Sequence, residues 1–237
     1  MISAKFNYPL LHRHSVDGQR FYETPSGTAV PSVTTVLDRT KPEESRRALQ
    51  EWRARVGEKQ AAQISSEAAG RGTRMHKWIE NHVKTGAAGT PGSNPYSQVS
   101  FAMAQEIIDK GLSQCQEFWG TEVPLYFPQV YAGTTDLVGV HDNAEAIMDH
   151  KQSNKPKRRE WIGDYFLQLA AYAAAHNEVY GTNIKKGVVF MCVAPKQDSE
   201  GQWGACQYQE FVLEGAEFQH YTQQWWTRLE EYYTKHG

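Results

Sequence analysis

A mixed α/β fold, α+β in the order of its elements, with a central mixed sheet flanked by helices, is predicted by three observations. Short β-prone runs fall between about residues 117 and 151 and again between about 185 and 212. An Ala-rich helical stretch of about residues 160 to 180 separates the two groups. A long helical pattern precedes them, so helices, three strands, helix, two strands and a helix follow one another. At 237 residues the chain suits one large domain, and 40% apolar residues suffice for a full core.

Taken in order, residues 20 to 30 read as a hairpin around the turn residues Pro25-Ser-Gly27. Ser32 is placed to cap a short helix, and Pro42 fits the first turn of the next, where Glu43 and Glu44 favour the helix dipole. The helical pattern then runs to about residue 84, with breaks expected near Gly57 and near Gly70-Arg-Gly72. Thr85 to Pro95 is a loop rich in Gly, Ala, Pro and Ser. A helix of about 96 to 112 leads into strands of about 117 to 126, 130 to 140 and 146 to 151. These form an antiparallel meander, its second turn made by His141-Asp-Asn-Ala-Glu145. The Ala-rich helix lies close against the sheet, two strands at about 185 to 194 and 203 to 212 follow, and an amphipathic helix of about 215 to 235 ends the chain.

No apolar run approaches the roughly 20 residues that span a bilayer, and the N-terminus has neither a secretory segment nor a transit-peptide pattern, so a cytoplasmic protein without membrane contact is expected. Three widely spaced cysteines argue against a disulfide framework and against an iron-sulfur cluster. A net charge of −2 gives no general attraction to nucleic acid, so a polyanion would have to meet local basic patches. Two exist: Arg46, Arg47, Arg53 and Arg55 on a helix, and Lys155, Lys157, Arg158 and Arg159 farther along.

The chemistry concentrates between Gly133 and Tyr172. Asp149 and Lys151 end an apolar strand two residues apart and so share one face. No other lysine has an acidic residue two positions before it, and no tyrosine but Tyr172 has a glutamine four before it, Gln168. Asp136, in Gly133-Thr-Thr-Asp136, lies on the preceding strand, so a hairpin brings its carboxylate to that of Asp149 at one sheet edge. Two carboxylates suit an oxygen-preferring ion such as Mg²⁺, and a lysine beside them suits charge developing on phosphorus. Gln168 and Tyr172 share a helix face that can reach a nucleic-acid backbone. His76 and Glu80 also share a face, as a ligand and its partner would. Glu122, on the strand before, is a candidate support residue. His12-Arg-His14 offers a metal pair but no third ligand in sequence, and reads as a surface loop.

With these motifs in this order the chain resembles the PD-(D/E)xK nuclease superfamily, and within it the RecB-like branch, whose helical histidine motif Gly72 to Glu80 resembles. The flanking Pro31 to Leu37, Glu51-Trp-Arg53 and Lys151 to Lys157 look like the mitochondrial-genome-maintenance group of exonucleases in that branch. The resemblance implies a restriction-endonuclease-like core in one nuclease domain over 1–237, with a hairpin and helical part at 1–95 and the core at 96–237. It implies that His76, Asp136 and Asp149 hold Mg²⁺ or Mn²⁺, with the His150 backbone carbonyl as a further ligand, and that Lys151 orients or activates the water. It also implies single-stranded DNA with a free end as substrate. The basic run Lys155, Lys157, Arg158 and Arg159 would grip its phosphates, with Trp52, Trp78 or Trp161 available for stacking. The missing mitochondrial presequence points to a bacterial or phage protein. Double-strand recombination exonuclease, structure-selective endonuclease and a non-catalytic nucleic-acid binder stay open as alternatives.

Overall fold

The structure, a computed structural model, describes residues 2–236. Two sheets organise it. The smaller joins β1 (His12–Val16), β2 (Gln19–Glu23) and β3 (Ala29–Pro31), all antiparallel. The expected hairpin is β2–β3. The pair His12 and His14, expected in a loop, instead sits on β1, which shows no apolar alternation because most of its residues face solvent.

Three helices follow. Ser32 caps α1 (Val33–Arg39) by accepting the Thr35 N–H, as expected. The carbonyls at the end of α1 accept from Arg46 and Arg228, at Arg39 and Leu37 respectively. Arg46, part of the first basic patch, is thereby engaged as a cap. Pro42 precedes rather than opens α2 (Glu43–Val56). The chain turns at Gly57, but α3 (Glu58–Thr85) passes unbroken through Gly70 and Gly72, against the sequence expectation. The reason is tertiary: α3 packs Met75 and Ile79 against the main sheet, and that burial carries the helix through its glycines. The loop over 86–94 ends at Asn94, which caps α4 (Pro95–Lys110).

The main sheet is five-stranded and mixed, in the order β4-β5-β6-β7-β8, from β4 (Cys115–Phe127), β5 (Tyr131–His141), β6 (Ala144–Ser153), β7 (Gly187–Val193) and β8 (Gln207–Leu213). The meander β4-β5-β6 is antiparallel as expected, its second turn made by Asp142 and Asn143 at φ of 46° and 60°. Helix α5 (Gly163–Tyr180) crosses over to make β6 and β7 parallel, and α6 (Gly215–His236) closes the chain. Alternation divides the burial. Ile147, Val189 and Met191 pack under α5 and α6, with Leu169, Ala171 and Trp225, while Met148, Val188 and Phe190 pack under α3 and α4, with Met75, Ile79 and Ile107. The sheet is covered on both faces, the layered arrangement the sequence predicts. Among the described residues, no helix is long and apolar enough to cross a membrane.

Candidate active site

Strands β5 and β6 are paired from the turn only as far as Leu137 and Met148. The next residues are Asp136 and Asp149, so both carboxylates stand where the two strands part. Beyond that point β6 keeps its partner on the other side, with Asp149 beside Val189 and Lys151 beside Met191. A gap between two strands held rigid elsewhere is where groups from both faces of a sheet can meet. Asp149 and Lys151 point to the α5 face. His150 points to the α3 face, as its neighbour Met148 does.

On the α5 side the contacts form a chain. Lys151 Nζ is ion-paired with Asp149 Oδ2. The ammonium donates to Gln168 Oε1 at 3.3 Å and lies 5.0 Å from the centre of the Tyr165 ring. Gln168 Nε2 donates in turn to Tyr172 Oη at 3.3 Å. The two motif residues on the helix therefore hold Lys151. Gly133, three residues before Asp136, makes room for this: a Cβ there would lie 2.7 Å from Tyr172 Cε1.

On the α3 side, His76 Nδ1 is 3.3 Å from Asp136 Oδ1, and the His150 backbone N–H donates to Asp136 Oδ2 at 2.6 Å. The His150 ring stacks on Phe190 with centroids 5.9 Å apart and meets His76 edge-on at 5.8 Å. One ligand atom each from His76, Asp136 and His150 lies within 4.8 Å of the others. The resemblance implies the His150 carbonyl as a ligand; the structure brings its imidazole here, with Nδ1 3.9 Å from Asp136 Oδ2. Asp149 lies outside that trio, its buried Oδ2 engaged by Lys151.

Electrostatics separate the two carboxylates. Burial raises Asp149 above the ordinary range, with the nearby charge of Asp136 adding to it against the pull of Lys151. Burial works against ionisation of Asp136 too, but His76 outweighs it and holds that carboxyl well below the usual range. Burial favours neutral His76, yet the charge and hydrogen bond of Asp136 push it up to about 9. His150, with burial dominant, falls to about 4 and is a neutral imidazole. Burial alone would lower Lys151, but Asp149 and Asp136 raise it, so it stays cationic.

The remaining expected residues are placed as follows. Glu122 falls between the pairs Thr121–Leu137 and Val123–Thr135, opposite Asp136, and takes φ of 52°. Partial enclosure first, and then the charge of Asp136, raise its carboxyl. Glu80 does not pair with His76; its carboxylate is taken by Lys77 and Lys84 on its own helix, which lower it. Of the later basic run, Lys155 and Arg158 are exposed, Lys157 is half-buried, and Arg159 pairs with both oxygens of Glu217 and donates to the Val212 carbonyl. Trp161 is 63% exposed and lies 5.3 Å from the Arg158 guanidinium. Trp52 is half-buried, and Trp78 packs edge-on against Phe101.

Sequence reasoning passed over a groove of about 500 Å³ whose wall includes Arg71, Arg74, Tyr96 and Trp203. Arg71 donates to Gln152 and Asn154, just past Lys151, so the groove opens beside the site. The signal was Arg71 and Arg74 one helical turn apart; the expected break at Gly70 to Gly72 hid it. A cleft of about 900 Å³ lies elsewhere, between α1–α2 and α6, and none of the site residues lines it.

No protein-family profile matches the chain. Mitochondrial genome maintenance exonuclease 1 of Xenopus tropicalis is 28% identical over 218 residues, covering 87% of this chain and 58% of that protein. The protein of that name from Mus musculus is 27% identical over 217 residues, covering 87% of this chain and 60% of its own. The chain spans about three-fifths of the length of the curated relatives it matches. Among solved structures, SSO0001 aligns with a TM-score of 0.32 and 13% identity over 69% of this chain and 73% of its own. The chain is thus a distant homologue, at 27 to 28% identity, of proteins named as exonucleases.

Proposed function

We propose that this chain is a metal-dependent deoxyribonuclease of the PD-(D/E)xK superfamily, RecB-like branch, a single nuclease domain that hydrolyses single-stranded DNA from an end. The observation that carries the reading is the junction at the parting of β5 and β6, where Asp149–Lys151–Gln168–Tyr172 on one side meets His76–Asp136–His150 on the other. The homology to proteins named as exonucleases points the same way.

The donor set fits a divalent ion. One ligand atom from each of His76, Asp136 and His150 lies within 4.8 Å of the others, and Asp149, next to His150 on β6, adds a second buried carboxylate. Two imidazoles beside the carboxylates favour Mn²⁺ over Mg²⁺, which prefers oxygen ligands. When bound, such an ion supplies Lewis acidity at a phosphoryl oxygen and acidifies a water. Lys151, held in place by Asp149 and Gln168, presents a fixed positive charge to the phosphate that gains charge during attack. Its ammonium also orients the attacking water. Gln168 and Tyr172 set the lysine's direction, and the buried packing around Tyr172 limits the water that reaches it. Arg71 and Arg74 are placed to meet phosphates, and Tyr96 and Trp203 to stack bases, in the groove beside the site. Lys155, Lys157 and Arg158 extend that charge.

Two expectations follow at this point. His76 is protonated at neutral pH while its partner is Asp136, so an ion must displace that proton. Affinity for Mn²⁺ will therefore rise about tenfold per pH unit up to about pH 9 and flatten above it, with proton release in calorimetry in buffers of different ionisation heat. An affinity independent of pH between 7 and 9 would remove His76 from the ligand set. Second, end-labelled linear single strands will be degraded with Mg²⁺ or Mn²⁺ and spared with a chelator, while circular single strands resist. Cleaved circles would make the enzyme an endonuclease, and a preference for duplex ends would favour the recombination-exonuclease reading.

A further inference from the structure

We propose that the N-terminal hairpin carries a separate transition-metal site made by His12, His14 and Glu23, independent of the nuclease reading. Strand β1 puts the two histidines on one face, two residues apart, and the β1–β2 register sets Glu23 directly across from His12. One ligand atom from each lies within 4.8 Å of the others. His12 Nδ1 is 3.7 Å from Glu23 Oε2, and the two imidazoles lie nearly parallel with centroids 6.1 Å apart.

The His14 ring is pinned by Phe21, stacked at 6.0 Å, and its Nδ1 is sealed from solvent without a hydrogen-bond partner. A buried ring nitrogen left unpaired is uncommon, and a bound ion would satisfy it. His12 and Glu23 have side chains 71% and 53% exposed, free to close by rotamer changes on bonds of about 2.0 to 2.2 Å. Their plain ion pair, so exposed, would contribute little.

The donor set selects the ion. Two imidazoles and one carboxylate suit Zn²⁺, Cu²⁺ or Ni²⁺, whereas Mg²⁺ prefers oxygen. Three protein ligands leave a position open to solvent. The ion would tie β1 to β2. Tyr22, on the opposite face of β2, reaches Thr134 at 3.2 Å, so the clasp would brace the hairpin against β5 two residues from Asp136. Binding to the folded chain alone would raise its melting temperature by mass action.

The test is titration of chelator-stripped full-length protein with Zn²⁺ by calorimetry and with Co²⁺ by visible absorption. The double variant His76→Ala with Asp136→Asn should retain one equivalent. Introducing His12→Asn into that background should weaken this equivalent by about tenfold or more, the size that even supporting residues of metal sites command. His14→Ala should do the same and remove the ligand-field bands. Should His14→Ala fail to fold, His12→Asn and Glu23→Gln, both at exposed side chains, decide the matter. Zn²⁺ should raise the melting temperature of the wild type more than that of His12→Asn. Unchanged stoichiometry and affinity in His12→Asn and Glu23→Gln, or no equivalent surviving in the double variant, would overturn the site.

Discussion

Replacing Lys151 by methionine will slow DNA cleavage by about 10²- to 10³-fold, the loss expected when one preorganised charge is withdrawn from a transition state. Methionine keeps the stem that fills the space between Asp149 and the Tyr165 ring, so the loss is chemical rather than architectural. The lysine's charge persists because Asp149 and Asp136 outweigh burial. Without it, burial and the charge of Asp136 are opposed only by the weaker pull of His76, and the Asp149 carboxyl will titrate higher still. The measurement is single-turnover cleavage of a labelled oligonucleotide under saturating Mn²⁺, with a melting curve beside it. A folded Lys151→Met that cleaves within threefold of the wild type would take the lysine out of the chemistry.

Asp136→Asn will have the larger effect, about 10³-fold or more, because several kcal/mol of charge stabilisation by an ion are lost together with its ligand. The substitution is nearly isosteric, and the retained amide oxygen can still accept the His150 N–H that Asp136 Oδ2 accepts at 2.6 Å. What disappears is the charge beside His76. His76, now held up to about 9 by that charge, will fall as burial takes over, which an NMR titration of its ring will read directly. Mn²⁺ affinity should fall with it. An Asp136→Asn protein with a lowered His76 value but undiminished Mn²⁺ affinity would show that the ion, if bound, sits elsewhere.

Much of this site could be read in the sequence because the relevant chemistry is local. Asp149 and Lys151 obey strand alternation, Gln168 and Tyr172 obey helical spacing, and the Asp142-Asn143 turn registers β5 against β6 so that Asp136 and Asp149 arrive together. The reason for a glycine at 133, the Tyr172 ring standing over it, could not be read. His150 shows the limit most clearly. Alternation puts its ring on the face away from Asp149, and only the parting of the strands, with α3 laid across them, turns that ring toward His76 and Asp136. The uninterrupted α3 has the same origin, since packing of Met75 and Ile79 on the main sheet overrides the weak helix propensity of Gly70 and Gly72. Glu80 and Arg159 were legible as charges but not as partners: their pairing with Lys77 and Lys84, and with Glu217, depends on rotamers and on a strand–helix junction. Strand β1 escaped because exposed strands carry no apolar period.

The most direct measurement is a time course of end-labelled single-stranded DNA with Mn²⁺, run for the wild type and for Asp149→Ala. Asp149 is 2% exposed and anchors Lys151 while standing beside the His76–Asp136–His150 group, so it alone joins both halves of the site. Metal-dependent cleavage by the wild type that is abolished in a folded Asp149→Ala protein is the predicted result. Undiminished cleavage by Asp149→Ala, or no metal-dependent cleavage by the wild type, would contradict the account.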